Sequence, residues 1–156
     1  LCRDWSSDVC SSDLAVVALD QITKYAIEAQ LTLGQSIEII QGFFSLTYAR
    51  NTGAAWSILT GQMTFFYIVS VIALVVMTYF LVKTDKKETL QRIALALLIA
   101  GTLGNFIDRL MFQYVRDFLD FIIIGYDFPI FNVADISLNV AIGLLILEAI
   151  LEGRGK

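Results

Sequence analysis

The sequence contains no histidine, and its two cysteines both lie in the first ten residues. The lack of histidine excludes a nucleophile activated by an imidazole base and any metal site built on imidazole. Cys2 and Cys10 are far from the polar positions described below, so neither a reactive thiol there nor a disulfide framework is indicated. Basic residues are also few. The formal net charge of −4 excludes the basic face of a nucleic-acid-binding protein.

The chain is unusually rich in apolar residues, which make up 57% of it. Ordinary soluble domains are about 45–50% apolar. Three stretches approach the ~20 residues that cross a hydrocarbon core. They are Met63–Val82, Ile93–Ile107 with its interfacial flanks, and Phe131–Leu151. The sequence therefore predicts an α-helical integral membrane protein.

The N-terminal region is atypical for a membrane protein. Residues 1–13 are mostly polar, and together with Leu14 they contain a short repeat, SSDV followed by SSDL. We interpret them as a non-native segment, the alternative being a natural polar tail, and residues 14–156 as the membrane domain. The apolar stub "LAVVAL" (Leu14–Leu19) is too short for a signal peptide. It predicts the remaining end of a truncated first helix in a four-helix transmembrane bundle.

Basic residues indicate the orientation of this bundle. Lys83, Lys86, Lys87 and Arg92 crowd one short loop, and Arg154 and Lys156 follow the last span. By the positive-inside rule both regions face the cytoplasm. The stretches Asp20–Gln62 and Phe112–Pro129 then face outward. The first contains "SIEIIQGFFSLTYARN", which predicts short strands on the outer face.

Two apolar spans carry polar residues at helical spacing. Asn105, Asp108 and Arg109 share one helix face, where Asp108 and Arg109 are either functional or a structural ion pair. Asn132, Asp135 and Asn139 form a second stripe, which either serves function or bonds neighbouring helices. A charge at the centre of a membrane helix costs about 2.5–3.5 kcal/mol, which favours the functional interpretation of Asp135.

The segment between the two stripes, "VRDFLDFIIIGYDFP", reads as a loop with three acids, Asp117, Asp120 and Asp127. One of its carboxylates is expected to approach Asp135. Two close carboxylates share a proton, so that one activates water while the other polarises a carbonyl. A Ser-Lys dyad on Lys24 is a weaker alternative, because no serine is placed to pair with it. The small residues Ala96, Ala100 and Gly104 predict a helix-packing seam.

Five ordered blocks resemble the signal peptidase II family, the lipoprotein signal peptidases. They are "LDQITK", "ARNTGAAWSIL", "GTLGNFIDRL", "VRDFLDF" and "FNVADISLNV". The resemblance implies a four-helix aspartic peptidase of the bacterial inner membrane that cuts prolipoproteins before a lipid-modified cysteine. It also implies that Asp117 and Asp135 are the catalytic pair, a choice over Asp120 that spacing leaves open.

The resemblance implies supporting residues as well. These are Asn105, Arg109 and Asn132 around the site, Asn51 and Gly53 in the outer block, Asp20 and Lys24 at the end of the first helix, and Asp108 beside Arg109. Arg116 departs from the apolar residue expected before the catalytic aspartate. Its guanidinium lowers the pKa of Asp117 only if the two side chains meet.

We therefore expect an intramembrane aspartic endopeptidase that needs neither metal nor cofactor. Its expected partners are prolipoproteins with a lipid-modified cysteine and membrane lipids, without nucleic acid. A multi-pass bacterial inner-membrane location is expected, with the site toward the outer face and the C-terminus in the cytoplasm. A small proton-coupled carrier is the main alternative, since intramembrane acids serve carriers equally well. An interaction scaffold is a third class.

Overall fold

The computed structural model describes residues 7–53 and 59–154, with side chains from 13 to 53 and 59 to 151. Residues 1–6 of the segment interpreted as non-native, residues 54–58 of the block "ARNTGAAWSIL", and Lys156 lie outside the described residues. In chain order the elements are α1 (Ser7–Gln30), β1 (Ser36–Ile40), β2 (Phe44–Asn51), α2 (Met63–Lys83), α3 (Thr89–Phe112), β3 (Val115–Ile123), β4 (Tyr126–Asp127) and α4 (Val133–Arg154).

The three predicted complete spans are confirmed as helices. Over the described residues, α2, α3 and the Val133–Leu151 part of α4 are long and apolar enough to cross a membrane. At 1.5 Å per residue, the 21 residues of α2 span about 30 Å. α3 is the central helix, because 44% of its apolar window is buried, compared with 17% for each of the other two.

Helix α1 differs from its prediction. It runs for 24 residues and includes residues 7–13, which were expected to precede the helix. It also continues to Gln30, whereas the predicted stub of the first helix ends at Leu19. The physical reason is that Asp20 and Lys24 are fully buried against polar partners inside the bundle, which apolar counting does not detect. That residues 1–13 are non-native stays a prediction.

The strands form one antiparallel sheet in the order β1-β2-β3-β4. Strands β1 and β2 confirm that "SIEIIQGFFSLTYARN" forms short strands. The interpretation of "VRDFLDFIIIGYDFP" as a loop was wrong, since β3 occupies nine of its residues. Backbone pairing with β2 accounts for the strand, and the N–H groups of Phe118 and Leu119 both donate to the Phe131 carbonyl, at 3.0 and 2.8 Å. These bonds tie the sheet to the segment that enters α4.

Small residues allow α3 to pack closely against its neighbours, as predicted. Ala96 and Ala100 are buried. A Cβ added to Gly104 would lie 2.7 Å from Asp20 Oδ2 and 3.1 Å from the Cβ of Ala134. The seam therefore brings α1, α3 and α4 together where the polar residues lie.

We expect Gly101→Ala to lower the free energy of unfolding by about 1–3 kcal/mol. The new Cβ would lie 2.6 Å from the backbone oxygen of Ala134, which cannot move without shifting α4. The matched control is Gly143→Ala, because nothing lies within 4 Å of its added Cβ. Thermal unfolding in detergent should show a lower midpoint for the first variant and an unchanged or higher midpoint for the second. Equal midpoints would contradict the close packing of α3 on α4.

Candidate active site

Asp117 and Asp135 face the same cavity, which has a volume of about 960 Å³. Asp117 lies on β3 and only 3% of it is exposed, whereas Asp135 lies in the first turn of α4 and is half-buried. Asp120 and Asp127 also line the cavity. Among the residues that the structure describes, no group of three acidic or cysteine side chains is arranged to hold a metal ion.

The start of α4 fixes the Asp135 carboxylate. Asn132 Oδ1 accepts a hydrogen bond from the Asp135 backbone N–H at 3.0 Å, and Asp135 Oδ2 accepts one from the Asn132 N–H at 3.2 Å. This reciprocal arrangement is a capping box, which satisfies two N–H groups that a helix start leaves free. The carboxylate also lies at the positive end of the helix dipole. The spacing Asn-x-x-Asp therefore sets the side-chain position locally.

Strand pairing and Asn132 together position Asp117. In the antiparallel register Asp117 lies opposite Ala49 of β2. Asn132 Nδ2 donates to Asp117 Oδ1 at 2.6 Å, and the side chain of Asn51 also forms a hydrogen bond with Asp117. Asn132 thus contacts both aspartates, one through its side-chain amide and the other through its cap.

Asn105 of α3 completes this arrangement. Its Nδ2 donates to Asp135 Oδ1 at 2.8 Å. Its Oδ1 accepts hydrogen bonds from Asn132 Nδ2 and from Lys24 Nζ, each at 3.1 Å. Three helices and a strand therefore meet at two asparagine amides.

The pKa of Asp117 is raised to about 7, chiefly by burial and next by the negative charge of Asp135. A carboxyl group with this pKa holds its proton over much of the neutral range. The pair can then present one protonated and one ionised carboxyl group, which is the requirement for activating water and polarising a carbonyl at once.

Behind the site lies a buried ionic cluster, whose members are Asp20, Lys24, Asp108, Arg116 and the partly exposed Glu28. Lys24 Nζ lies 2.8 Å from Asp20 Oδ2 and 3.5 Å from Asp108 Oδ2. Asp20 Oδ1 accepts a hydrogen bond from the Ala134 N–H at 2.8 Å. The cluster therefore links α1 to the first turn of α4.

The side chain of Arg116 points away from the face of β3 on which Asp117 lines the cavity. Its guanidinium donates to Asp108 from Nε at 3.1 Å and from a terminal nitrogen at 2.9 Å, and it contacts Glu28 at 3.0 Å. It also stacks against Tyr25 and Phe112, at 4.2 and 4.5 Å from the ring centroids. Adjacent residues of a strand point to opposite faces. Arg116 accordingly binds Asp108. The contact between Arg116 and Asp117 that the sequence left open is not formed.

Polar residues that were predicted to share one helix face contact different partners in the structure. Asp108 binds Arg116, whereas Arg109 donates to the Gly53 carbonyl at 3.3 Å and lies over the ring of Phe66. The suggested Asp108–Arg109 ion pair is therefore replaced by these contacts. Asn139 is exposed and donates to the backbone oxygen of Asp135, so it lines the cavity rather than joining the buried amides.

Two residues were missed in the sequence, namely Glu28, a member of the cluster, and Gln21, which contacts it. Gln21 Nε2 donates to Asp108 Oδ1 at 3.1 Å, and Glu28 binds Arg116. The spacing of Asp20, Lys24 and Glu28 by four residues could have revealed Glu28, because it places all three on one face of a helix. Gln21 carries no comparable signal.

The chain is similar to known proteins over most of its length. A family profile described as signal peptidase (SPase) II matches residues 13–151. Lipoprotein signal peptidases of Staphylococcus aureus strains JH9 and Newman are each 46% identical over 141 residues, which is 90% of this chain and 86% of theirs. A solved bacterial membrane enzyme aligns with a TM-score of 0.93 at 43% identity, over 97% of this chain and 93% of its own. A second reaches 0.85 at 44% identity, over 93% and 94%.

Proposed function

Because this chain belongs to the signal peptidase II family, an aspartic peptidase that cleaves signal peptides from prolipoproteins in a bacterial membrane, we propose that Asp117 and Asp135 are its catalytic pair. The observation that carries this proposal is their shared bonding to Asn132 at the wall of one cavity. The alternative of a proton-coupled carrier has no support, because the reported relatives are peptidases.

The two carboxyl groups differ in surroundings, which suggests their roles. Asp135 accepts hydrogen bonds from Asn105 and from the Asn132 N–H at the helix start, and these donors favour a carboxylate. Asp117 is the more deeply buried group, with its pKa raised to about 7. We assign Asp135 as the base and Asp117 as the acid, although the pair titrates as a unit.

The reaction then proceeds in two steps. Water gives a proton to Asp135 and its oxygen bonds to the scissile carbonyl carbon, while Asp117 protonates the carbonyl oxygen. The resulting tetrahedral diol collapses as the C–N bond breaks. Asp135 passes its proton to the departing nitrogen, and Asp117 recovers its proton from a diol hydroxyl. Both groups return to their starting states without a covalent intermediate.

Arg109, Asn51 and Gly53 are proposed to bind the substrate backbone at the cavity wall. The buried Nε of Arg109 has no hydrogen-bond partner among the residues that the structure describes, although a neighbouring nitrogen donates to the Gly53 carbonyl. A buried N–H group without a hydrogen-bond acceptor costs free energy, so we expect a substrate carbonyl to accept from this nitrogen. The Asn51 side chain accepts from the Gly53 N–H at 2.9 Å, which supports this part of the wall.

We further propose that the substrate cysteine carries a diacylglyceryl group and that the site faces the outer side of the cytoplasmic membrane. Asn105 and Arg109 line the cavity together with the two aspartates. They lie near the C-terminal end of α3, whereas the basic loop with Lys86 and Lys87 precedes its N-terminal end. If that loop is cytoplasmic, the site is outside and the C-terminus inside. The acyl chains would then stay among the membrane lipids while the scissile bond enters the cavity.

A gel-shift cleavage assay tests the substrate. One precursor is prepared with the diacylglyceryl-modified cysteine, and a matched precursor carries the same sequence with an unmodified cysteine. We expect the modified precursor to be cleaved at least ~100-fold faster, because its acyl chains hold the reacting bond at the membrane surface. Equal rates would contradict the proposed substrate class. Transport of a solute without any cleavage would contradict the peptidase assignment.

The cleavage rate should fall as the pH rises through about 7, because Asp117 then loses the proton that it must donate. The measurement is kcat/KM from about pH 5 to about pH 9, with protein integrity checked at each pH by thermal unfolding. A rate that stays constant to the alkaline end would contradict the assignment of Asp117 as the acid.

A further inference from the structure

Lys24 is fully buried in α1, and its ammonium group faces the amides that hold the two aspartates. Its Nζ lies 2.8 Å from Asp20 Oδ2, 3.5 Å from Asp108 Oδ2 and 3.1 Å from Asn105 Oδ1. Asp108 is also bound by Arg116, so the four deeply buried charges of the cluster, two positive and two negative, balance. Each of these buried charged groups therefore has a partner of opposite charge.

The ammonium group determines which way the Asn105 amide points. An ammonium only donates hydrogen bonds, so Asn105 must turn its oxygen toward Lys24. The NH₂ group then points the other way, and it donates to Asp135 Oδ1 at 2.8 Å. A flipped amide would place NH₂ against the ammonium and oxygen against the carboxylate, which are two repulsive contacts.

The orientation of the Asn105 amide also determines the orientation of the Asn132 amide, which contacts Asp117. Asn105 Oδ1, held by Lys24, also accepts from Asn132 Nδ2 at 3.1 Å. That NH₂ group donates in addition to Asp117 Oδ1 at 2.6 Å. The Asn132 oxygen is left to accept from the Asp135 N–H at 3.0 Å. Every bond in the chain is therefore consistent with one amide orientation.

We propose that Lys24 is a positioning residue for the peptidase reaction, fixing the direction of the Asn105 and Asn132 amides and thereby the positions of the Asp117 and Asp135 carboxyl groups. This rests on the proposed function in one respect, that these aspartates react. Lys24 does not touch the substrate cavity, and it acts only through Asn105.

The positive charge has a second, measurable effect on Asp117. The groups that face Lys24 are Asp20 from α1, Asn105 and Asp108 from α3, and, through the amides, Asp135 from α4 and Asp117 from β3. The charge of Lys24 lowers the pKa of Asp117 and so opposes the effect of burial. Removing that charge should raise the pKa of Asp117 further.

Two variants test the proposal against the parent protein. Lys24→Met removes the donor and leaves Asp20 without its partner, which risks misfolding. The double variant Asp20→Asn/Lys24→Met removes both charges together, and the amide oxygen introduced at position 20 can still accept from the Ala134 N–H. The matched control is Ser137→Ala, which deletes another buried polar contact in the bundle, a bond to the Leu97 carbonyl.

In each folded Lys24 variant, kcat for the diacylglyceryl precursor should fall at least ~10-fold while KM changes less than ~3-fold. The descending limb of the pH profile should move to higher pH by ~0.5 unit or more. Ser137→Ala should change neither kcat nor the limb, even if it lowers the unfolding midpoint.

Parent-like kcat and an unmoved limb in the folded double variant would overturn the role of Lys24. Asp117→Asn and Asp135→Asn belong in the same assay. If they are inactive while the Lys24 variants behave as the parent, only the positioning role fails. If the aspartate variants retain activity, the proposed catalytic pair fails instead.

Discussion

Asp135→Asn and Asp117→Asn are each expected to lower kcat by about three orders of magnitude, because an amide neither takes a proton from water nor gives one to a carbonyl. Both substitutions keep the size of the side chain, and the retained Oδ1 can still accept from Asn105 at position 135 or from Asn132 at position 117. The loss should therefore appear in kcat, measured by cleavage of the diacylglyceryl precursor, without a matching loss of fold.

Asp120→Asn is the matched control for this prediction. Asp120 lies on the same strand and lines the same cavity, but its carboxylate accepts from the Thr47 hydroxyl at 2.6 Å. Its variant should keep at least about a third of the parent rate. A tenth or more of the activity surviving in either Asp117→Asn or Asp135→Asn would remove that residue from the catalytic pair.

Stability provides an independent check on Asp117→Asn. The folded-state pKa of Asp117, about 7, is above its ordinary value of 3.8, so between these values the folded state binds more protons than the unfolded state. Stability contributed by this group therefore falls as pH rises through that interval. Asparagine removes the effect, and the variant should unfold at an equal or higher temperature than the parent above neutral pH. A clearly lower midpoint there would indicate damage to the fold.

Arg116→Met is expected to have the largest effect on folding, lowering the free energy of unfolding by about 3–5 kcal/mol. The Arg116 side chain is 1% exposed, and its loss leaves the fully buried Asp108 carboxylate without its principal partner. Methionine fills part of the space between Tyr25 and Phe112, so that the loss reports mainly on the uncompensated charge. Thermal unfolding in detergent and the yield of folded protein are the measurements.

Two further variants separate charge from packing at this position. Asp108→Asn/Arg116→Met removes both charges and should recover much of the stability, since replacing a whole buried pair costs far less than breaking it. Arg50→Met removes a guanidinium whose side chain is 41% exposed, and it should leave the midpoint nearly unchanged. A double variant no more stable than Arg116→Met would mean that packing, rather than charge, dominates.

The apolar spans were predictable because membrane insertion depends on a local property, the length of an uncharged run. Met63–Val82 corresponds to α2 within one residue at its end, and Phe131–Leu151 to α4 within three residues at each end. The same criterion failed for α1, where Asp20 and Lys24 neutralise each other inside the bundle. Whether a charged residue ends a membrane helix depends on its partners, which no count of hydropathy contains.

The strand that carries Asp117 was not predictable from its own residues. Val115 to Phe118 are all buried, including an arginine and an aspartate, so the alternation that marks a half-buried strand is absent. β3 is a strand because β2 and the segment before α4 supply its backbone partners. The same pairing gives Asp117 and Asp120 different partners, since Asp117 contacts Asn132 and Asp120 contacts Thr47.

The sequence by itself determined the membrane class, three of the four helices and the local cap that holds Asp135, because each depends on residues close together in the chain. Tertiary structure alone decided that Asn105 and Asn132 form hydrogen bonds with two aspartates from different elements. It also decided that Asp108 forms its ion pair with Arg116 rather than with Arg109. The physical reason is that a buried polar group takes whichever complementary partner the packing of the helices and sheet brings within hydrogen-bond distance.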